Sequence, residues 1–218
     1  MLKLNKKDFI SALKTCFVTA GKNDVRFYLN SIQLEIRENA IILTGTDGHR
    51  INVCKLEVEG IDFGLIGRSV ILCRNSIEQV IKSVKLARND SESTLQLSLT
   101  DKIAEVKGVK TVMGFEEVRL IDEGLNLSLT VIEGRYPDVH SIYHGKYTGD
   151  AEDAVTEIGF NINYLADIKK SFNHLVGKDA GVLITFNNVN GAAKITPTKF
   201  DSAGQLKEVA MYLMPVRV

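Results

Sequence analysis

Phe9, Leu13, Cys16 and Phe17 recur at intervals of three and four residues within residues 8–17, with Asn5 ahead of them as an N-cap, and this spacing predicts an amphipathic helix. Residues 25–36 and 40–44 have strand composition and are separated by the turn pair Glu38-Asn39. Alternation resumes over residues 51–58 through Val53, Leu56 and Val58. The opening of the chain therefore reads as strand, helix and three strands.

The same order returns after a Gly-rich connection at residues 60–67. A strand is expected at 69–72, then a helix carrying Ile77, Val80, Ile81 and Val84, then strands at 95–99, 103–109 and 125–132. A third copy opens with Glu157-Ile158-Gly159-Phe160 and continues with a helix that aligns Ile162, Leu165, Ile168, Phe172 and Leu175. It ends with strands at 182–187, 192–196 and 208–214. Recurrence of element order predicts an α+β fold of repeated βαβββ units, each needing a neighbour to cover its sheet and helix. Two units fill residues 1–137 and a third fills 155–218. Residues 138–154, Gly-containing and charged and preceded by Pro137, have the composition of a linker. Residues 110–124, with Glu116, Glu117, Asp122 and Glu123, are expected to form a surface loop.

Composition narrows the class without naming a function. The 218 residues are 44% hydrophobic and 25% charged, enough apolar material for one or two ordinary cores. The first residues are polar, and no stretch approaches the roughly 18 apolar residues of a membrane span, so a cytoplasmic location is expected and no membrane partner. Cys16, Cys54 and Cys73 are odd in number, far apart and set among apolar neighbours, as buried thiols in a reducing compartment would be.

The 27 basic residues balance 27 acidic ones, so any nucleic-acid binding must come from where the charges sit. They gather on the predicted helices: Lys6, Lys7 and Lys14 against Asp8; Arg74, Lys82, Lys85 and Arg88 against Glu78; Lys169 and Lys170 against Asp167. A shared basic face would follow phosphates without reading bases. The same residues would equally serve as the solvated faces of amphipathic helices.

The chain has no phosphate loop, nucleophile elbow, HExxH pair or paired-Cys zinc spacing, and no catalytic residue, metal or cofactor is expected. Its densest chemistry is Thr46-Asp47-Gly48-His49-Arg50, where Asp47 and His49 could act as base or metal ligands. His140, His144 and His174 are too scattered to nominate a partner. Asp-Gly between two apolar strands is a hairpin signal, and a turn is the preferred reading.

Gly45-Thr46-Asp47-Gly48-His49-Arg50-Ile51 also resembles the hallmark segment of the bacterial sliding clamp, the beta subunit of DNA polymerase III. Three further segments are similar to that family in the same order: Asp24-Val25-Arg26-Phe27-Tyr28-Leu29-Asn30, Glu133-Gly134-Arg135-Tyr136-Pro137-Asp138 and Leu213-Met214-Pro215-Val216-Arg217-Val218. Glu157-Ile158-Gly159-Phe160-Asn161 resembles the start of the last half of its third domain. The resemblance covers the family's middle domain and the end of its last. It implies antiparallel sheets outside, helices inside, and a non-enzymatic scaffold on double-stranded DNA.

In that family a pocket between the two domains accepts a short apolar motif from DNA polymerases, the clamp loader and repair proteins. Carried over by position, Leu29, Thr46, Gly48, His49, Arg50 and Ile51 would form one wall, and Pro137 and Ile142 the linker side. Tyr212, Leu213, Met214, Pro215, Val216, Arg217 and Val218 would form the other wall. The likeness puts the basic helices on the DNA side and Arg26, Phe27 and Tyr28 at the rim.

The family's first domain has no counterpart here, and residues 138–156 are too few for the first half of its last domain. The third unit, alone, would expose a sheet edge and a sheet face, so pairing with another chain is expected. Three functions compete: a homo-oligomeric processivity clamp first, then a ringless clamp-like protein that competes for or regulates clamp-binding partners, and third an enzyme with Asp47 and His49 in a metal or hydrolase site.

Overall fold

A computed structural model describes residues 1–86, 91–106, 109–143, 158–177, 180–186 and 191–216. Strand β1 (Leu2–Asn5) runs directly into helix α1 (Lys6–Thr19), whose first turn is capped by the Asn5 side chain accepting the Asp8 N–H at 3.0 Å. Helix α1 buries Phe9, Ile10, Leu13 and Cys16 completely against the hairpins of β2 (Ser31–Arg37), β3 (Ala40–Thr46) and β4 (Arg50–Glu57). The helix comes so close to β3 that a Cβ on Gly45 would lie 2.1 Å from the Cys16 carbonyl oxygen, so only glycine fits there. Cys16 and Cys54 are buried thiols, and burial together with the neighbouring Cys54 pushes the Cys16 thiol well up.

Three expectations change, the simplest being that the strands expected at 95–99 and 103–109 are one continuous strand over 94–106. Strand β2 begins at Ser31, not at residue 25. Phe27–Leu29 form a 3-10 turn, and Asn30 Oδ1 accepts from Asp24 N–H while Asn30 Nδ2 donates back to the Asp24 carbonyl. These side-chain bonds satisfy backbone groups that a strand would otherwise pair, leaving Val25 97% exposed. Residues 110–124 are no surface loop: β7 (Val109–Asp122) pairs with β6 (Thr94–Val106) along a long hairpin. Phe115, Val118 and Leu120 are buried from it, and two bulges, at Thr100/Asp101 and Lys102/Ile103, break the alternation that would have marked it.

The second unit continues with β5 (Ser69–Cys73), α2 (Arg74–Ser83) and, after β7, β8 (Leu125–Leu129). A short helix, α3 (His140–Tyr143), follows, and the third unit holds α4 (Ile162–Phe172), β9 (Val182–Thr185), β10 (Ala193–Pro197) and β11 (Leu206–Leu213). Every strand pair is antiparallel. One sheet has the order β1-β6-β7-β8 and the other β5-β2-β3-β4-β11-β10-β9.

The first two units exchange strands: β1 pairs with β6 of the second unit, and β5 with β2 of the first. The third unit joins the first through its last strand, β11, on β4, with Ile51 opposite Tyr212. Half of the edge expected to stand open is thereby closed within the chain, because two last strands meet. Helix α1 packs against both α2 and α4, and the larger apolar core among the described residues runs through all three units, from Leu2 and Leu34 to Phe172, Leu175, Met211 and Leu213. Each such side chain fully buried contributes roughly 1.5–3 kcal/mol.

Polar contacts fix the seam. The Asp8 carboxylate, 1% exposed, accepts from the N–H groups of Ala203 at 2.7 Å, Gln205 at 2.8 Å and Leu206 at 2.9 Å, and from Ser202 Oγ at 3.0 Å. Buried Asn52 donates to the Thr15 carbonyl at 2.6 Å and to Ser171 Oγ at 2.9 Å, tying β4 to α1 and α4.

Candidate functional site

The β3–β4 turn at 46–50 is built from its own side chains. Thr46 Oγ1 accepts the Gly48 N–H and donates to the Arg50 carbonyl, while Asp47 Oδ1 accepts the N–H groups of His49 and Arg50. Gly48 adopts φ +90, the left-handed backbone that favours glycine. Arg50 Nε donates to Asp47 Oδ2 at 2.9 Å, its Nη1 donates to Asp167 of α4, and its guanidinium lies 4.5 Å from the centre of the Tyr164 ring. Burial alone would lower the guanidinium pKa, but the bonds to Asp167 and Asp47 carry it above its ordinary value. His49 stacks on the same Tyr164 ring at 6.0 Å. Asp47 and His49 are thus part of a turn clasped to the third unit, and among the described residues no cluster of His, Cys, Asp and Glu could hold a metal.

Behind the turn, the buried Tyr136 hydroxyl donates to the Thr44 carbonyl at 3.1 Å and accepts the Thr46 N–H at 3.2 Å, which fixes the chain as it reaches Pro137. Asn52 and Cys54 of β4 face α1, so Ile51 and Val53 face the opposite, outer side of the sheet. There Ile51, Val139, Ala210 and Tyr212 form a small apolar cluster joined by Val53, Ile142 and Ala192. Burial, with Glu208 nearby, pushes the Tyr212 phenol up to about 12. A cleft of about 740 Å³ adjoins the cluster, sharing Val53, Ala210 and Tyr212, with Arg37, Lys55, His140, Lys194 and Lys207 at its margins.

Of the residues assigned to a pocket from sequence, the structure brings Ile51 and Tyr212 into one apolar cluster with Ile142 packed against it. Thr46, Gly48, His49 and Arg50 form the adjoining turn, and the Met214 N–H donates to the His49 carbonyl at 2.9 Å. Met214 and Val216 are 38% and 46% exposed, Pro137 and Pro215 are half-buried, and Leu29 and Leu213 are sealed in the core. Arg217 and Val218 lie outside the described residues. Sequence reasoning missed Val139, Ala210, Tyr164 and Asp167. Val139, an apolar residue inside a polar segment, was the one available signal.

Helices α1, α2 and α4 pack together on the side away from the cleft, and their cations differ in availability. Lys6 forms a largely buried ion pair with Asp122 at 2.8 Å. Arg74 stacks on Phe17 at 3.8 Å and donates to the Phe17 and Ala20 carbonyls at the end of α1, so both act in the fold. Lys7 pairs with Asp201, Lys82 with Glu78, Lys170 with Asp167 and Arg26 with Asp24. Hydrogen bonds from Arg26 hold Asp24 at about 2. Lys85 and Lys169 are exposed, Lys14 is half-buried, and Phe27, 57% exposed, meets Tyr28 edge to face. Arg88 lies outside the described residues.

Residues 3–138 match the family model for the DNA polymerase III beta subunit, central domain. The chain belongs to the DNA polymerase III beta subunit family. Beta sliding clamps are its relatives: that of Proteus mirabilis is 26% identical, with 78% of this chain and 57% of the relative covered. That of Buchnera aphidicola from Acyrthosiphon pisum is 25% identical over 122 residues, covering 56% of this chain and 28% of the relative. This member thus spans little more than half, at most, of these two beta sliding clamps. The Pseudomonas aeruginosa sliding clamp bound to griselimycin superimposes with a TM-score of 0.68 at 16% identity, covering 99% of this chain and 65% of that one. The beta-clamp fold therefore extends beyond the central domain into the third unit. Among the described residues no helix is long and apolar enough to cross a membrane.

Proposed function

We propose that the chain serves as a sliding clamp, a non-enzymatic cytoplasmic scaffold that binds duplex DNA without reading its sequence. It holds DNA polymerase and other proteins, a clamp loader among them, through a short apolar peptide docked at the junction of the first and third units, and it works as a homo-oligomer. The observation that carries this reading is the meeting of Ile51, Ile142 and Tyr212 beside the 46–50 turn and the 214–216 chain end. An apolar anchor on that patch would gain the exposed Met214 and Val216, and methionine adapts to different partners. On the opposite face, Lys7, Lys14, Lys82, Lys85, Lys169 and Lys170 would exchange carboxylate partners or water for phosphates.

Retention on circular against linearised DNA tests the clamp function, and fluorescence anisotropy with a short Leu/Phe-containing peptide tests the pocket. Retention on circles, loss from linear ends, and a peptide affinity lowered roughly tenfold or more by Tyr212→Glu are expected. Neither retention nor peptide binding would overturn the proposal. A ringless clamp-like competitor is the second reading, favoured by the ion pairs that occupy Lys6, Lys7, Lys82 and Lys170, and it would bind peptide without retention.

A further inference from the structure

The first two units show how one unit of this fold completes another. The strand ahead of each helix leaves its own unit and lies on the second strand of its partner: β1 on β6, and β5 on β2. In the third unit the second strand is β9, which among the described residues ends its sheet. The segment ahead of α4 bridges the chain end through Gly159 and Val216. Strand β5 has the matching arrangement, with Leu72 bridging Val131 beyond β8 on one edge and pairing with Ile32 of β2 on the other. Among the described residues, 158–160 thus carry the first of these pairings without the second.

The uncovered surface is apolar. Val182, Leu183 and Ile184 on β9 are 40%, 59% and 38% exposed, and Ile162 and Leu165 on α4 are 77% and 37% exposed, while Phe186 beside β9 stacks on Phe160 at 6.2 Å and is 38% exposed. The stretch 180–186 carries no charge and no proline, the devices that keep a solvent-facing edge strand from pairing. By contrast Ile32 and Leu34 of β2, the equivalent strand with its partner in place, are completely buried.

We infer that a second copy of the chain covers this surface, with the two third units exchanging their 158–160 segments about a two-fold axis. Each segment lies antiparallel on β9 of the other copy, and the Ile162/Leu165 faces of the two α4 helices meet. A second copy is the occupant because the exchange is reciprocal: the unit that offers an open β9 also offers an open segment ahead of its helix, and an identical unit needs both. Such a contact is self-complementary and closes at two chains. This deepens the oligomeric part of the function proposed above and is independent of DNA binding.

Sedimentation velocity on the full chain, with Leu183→Arg and Ile162→Glu as variants, tests it. Both residues are exposed, so the variants keep the fold, which circular dichroism verifies. Wild type is expected as a dimer or an even multiple, with the dimer dissociation constant raised about a hundredfold or more in each variant. The amide protons of β9 should gain hydrogen-exchange protection with concentration in the wild type alone. A wild-type monomer at high micromolar concentration would overturn the inference, as would an assembly unchanged by both variants. The assembly is read from mass and the clamp function from retention on DNA, so each can fail without the other.

Discussion

Replacing Asp8 with alanine removes the acceptor for the backbone N–H groups of Ala203, Gln205 and Leu206 and for the Ser202 hydroxyl, all of which reach a carboxylate that is 1% exposed. An orphaned buried donor costs roughly 1–3 kcal/mol, and bonds to a charged acceptor lie at the upper end. The Leu206 N–H is buried, whereas those of Ala203 and Gln205 are near enough to solvent to recover water, so about one and a half full penalties are expected. Loss of a carboxylate in the first turn of α1 adds about 0.3–1 kcal/mol. The sum is about 3–5 kcal/mol, and at roughly 2–4 °C per kcal/mol for a chain of this length the melting temperature should fall by about 6–20 °C. Asp8→Asn keeps one acceptor oxygen and should lose about half as much. Urea unfolding gives the free energy, and hydrogen exchange shows whether amides of β10 and β11 lose protection before those of β2 and β3. A loss below about 1 kcal/mol for Asp8→Ala would refute the claim that this carboxylate fastens the third unit to the first.

Gly45→Ala should destabilise the fold by about 3 kcal/mol or more in urea titration, because its Cβ would meet backbone rather than a side chain that can swing away. Arg50→Ala leaves Asp47 and Asp167 facing one another without their shared cation; a loss of roughly 2–4 kcal/mol and weaker junction-peptide binding are expected, and Arg50→Lys, which lacks the planar fork, should restore little. His174 keeps part of its ring in solvent but turns Nε2 to the Ser11 carbonyl at 2.9 Å; burial lowers its pKa, as does Lys14, and that bond only partly offsets them. The unfolded chain then binds the proton more tightly than the folded one, so stability should fall as pH drops through about 6.5, and His174→Gln should flatten that part of the profile. Asp167 gives a second window: burial raises its pKa, hydrogen bonds from Arg50 and Lys170 overcome this, and the stability it contributes should disappear as pH falls below about 4, a step that Asp167→Asn removes.

The amino-acid sequence by itself determined most of the helices and strands and their order. Spacing of Phe9, Leu13 and Cys16, and of Ile168 and Phe172, marks helices because each helix buries one face, and alternation in β4 marks a strand because its two faces meet different surroundings. The 46–50 turn was legible for the same local reason: Asp47 and Gly48 supply the turn's own bonds and backbone. Strand β7 was not legible, since bulges shift its register and hide its alternation, and the turn at 24–30 escaped because Asp24 and Asn30 satisfy backbone that composition alone would assign to a strand. Only the tertiary structure decided which units meet and how. Pairing of β4 with β11, the clasp of Arg50 on Asp167 and Tyr164, and the burial of Asp8 under the loop at 202–206 join residues more than a hundred positions apart. Hydrophobic periodicity specifies which face a residue buries and is silent about what buries it. The open edge at β9 has the same origin, since its sequence reads as an ordinary core strand and its exposure depends on a partner that the strand itself does not encode.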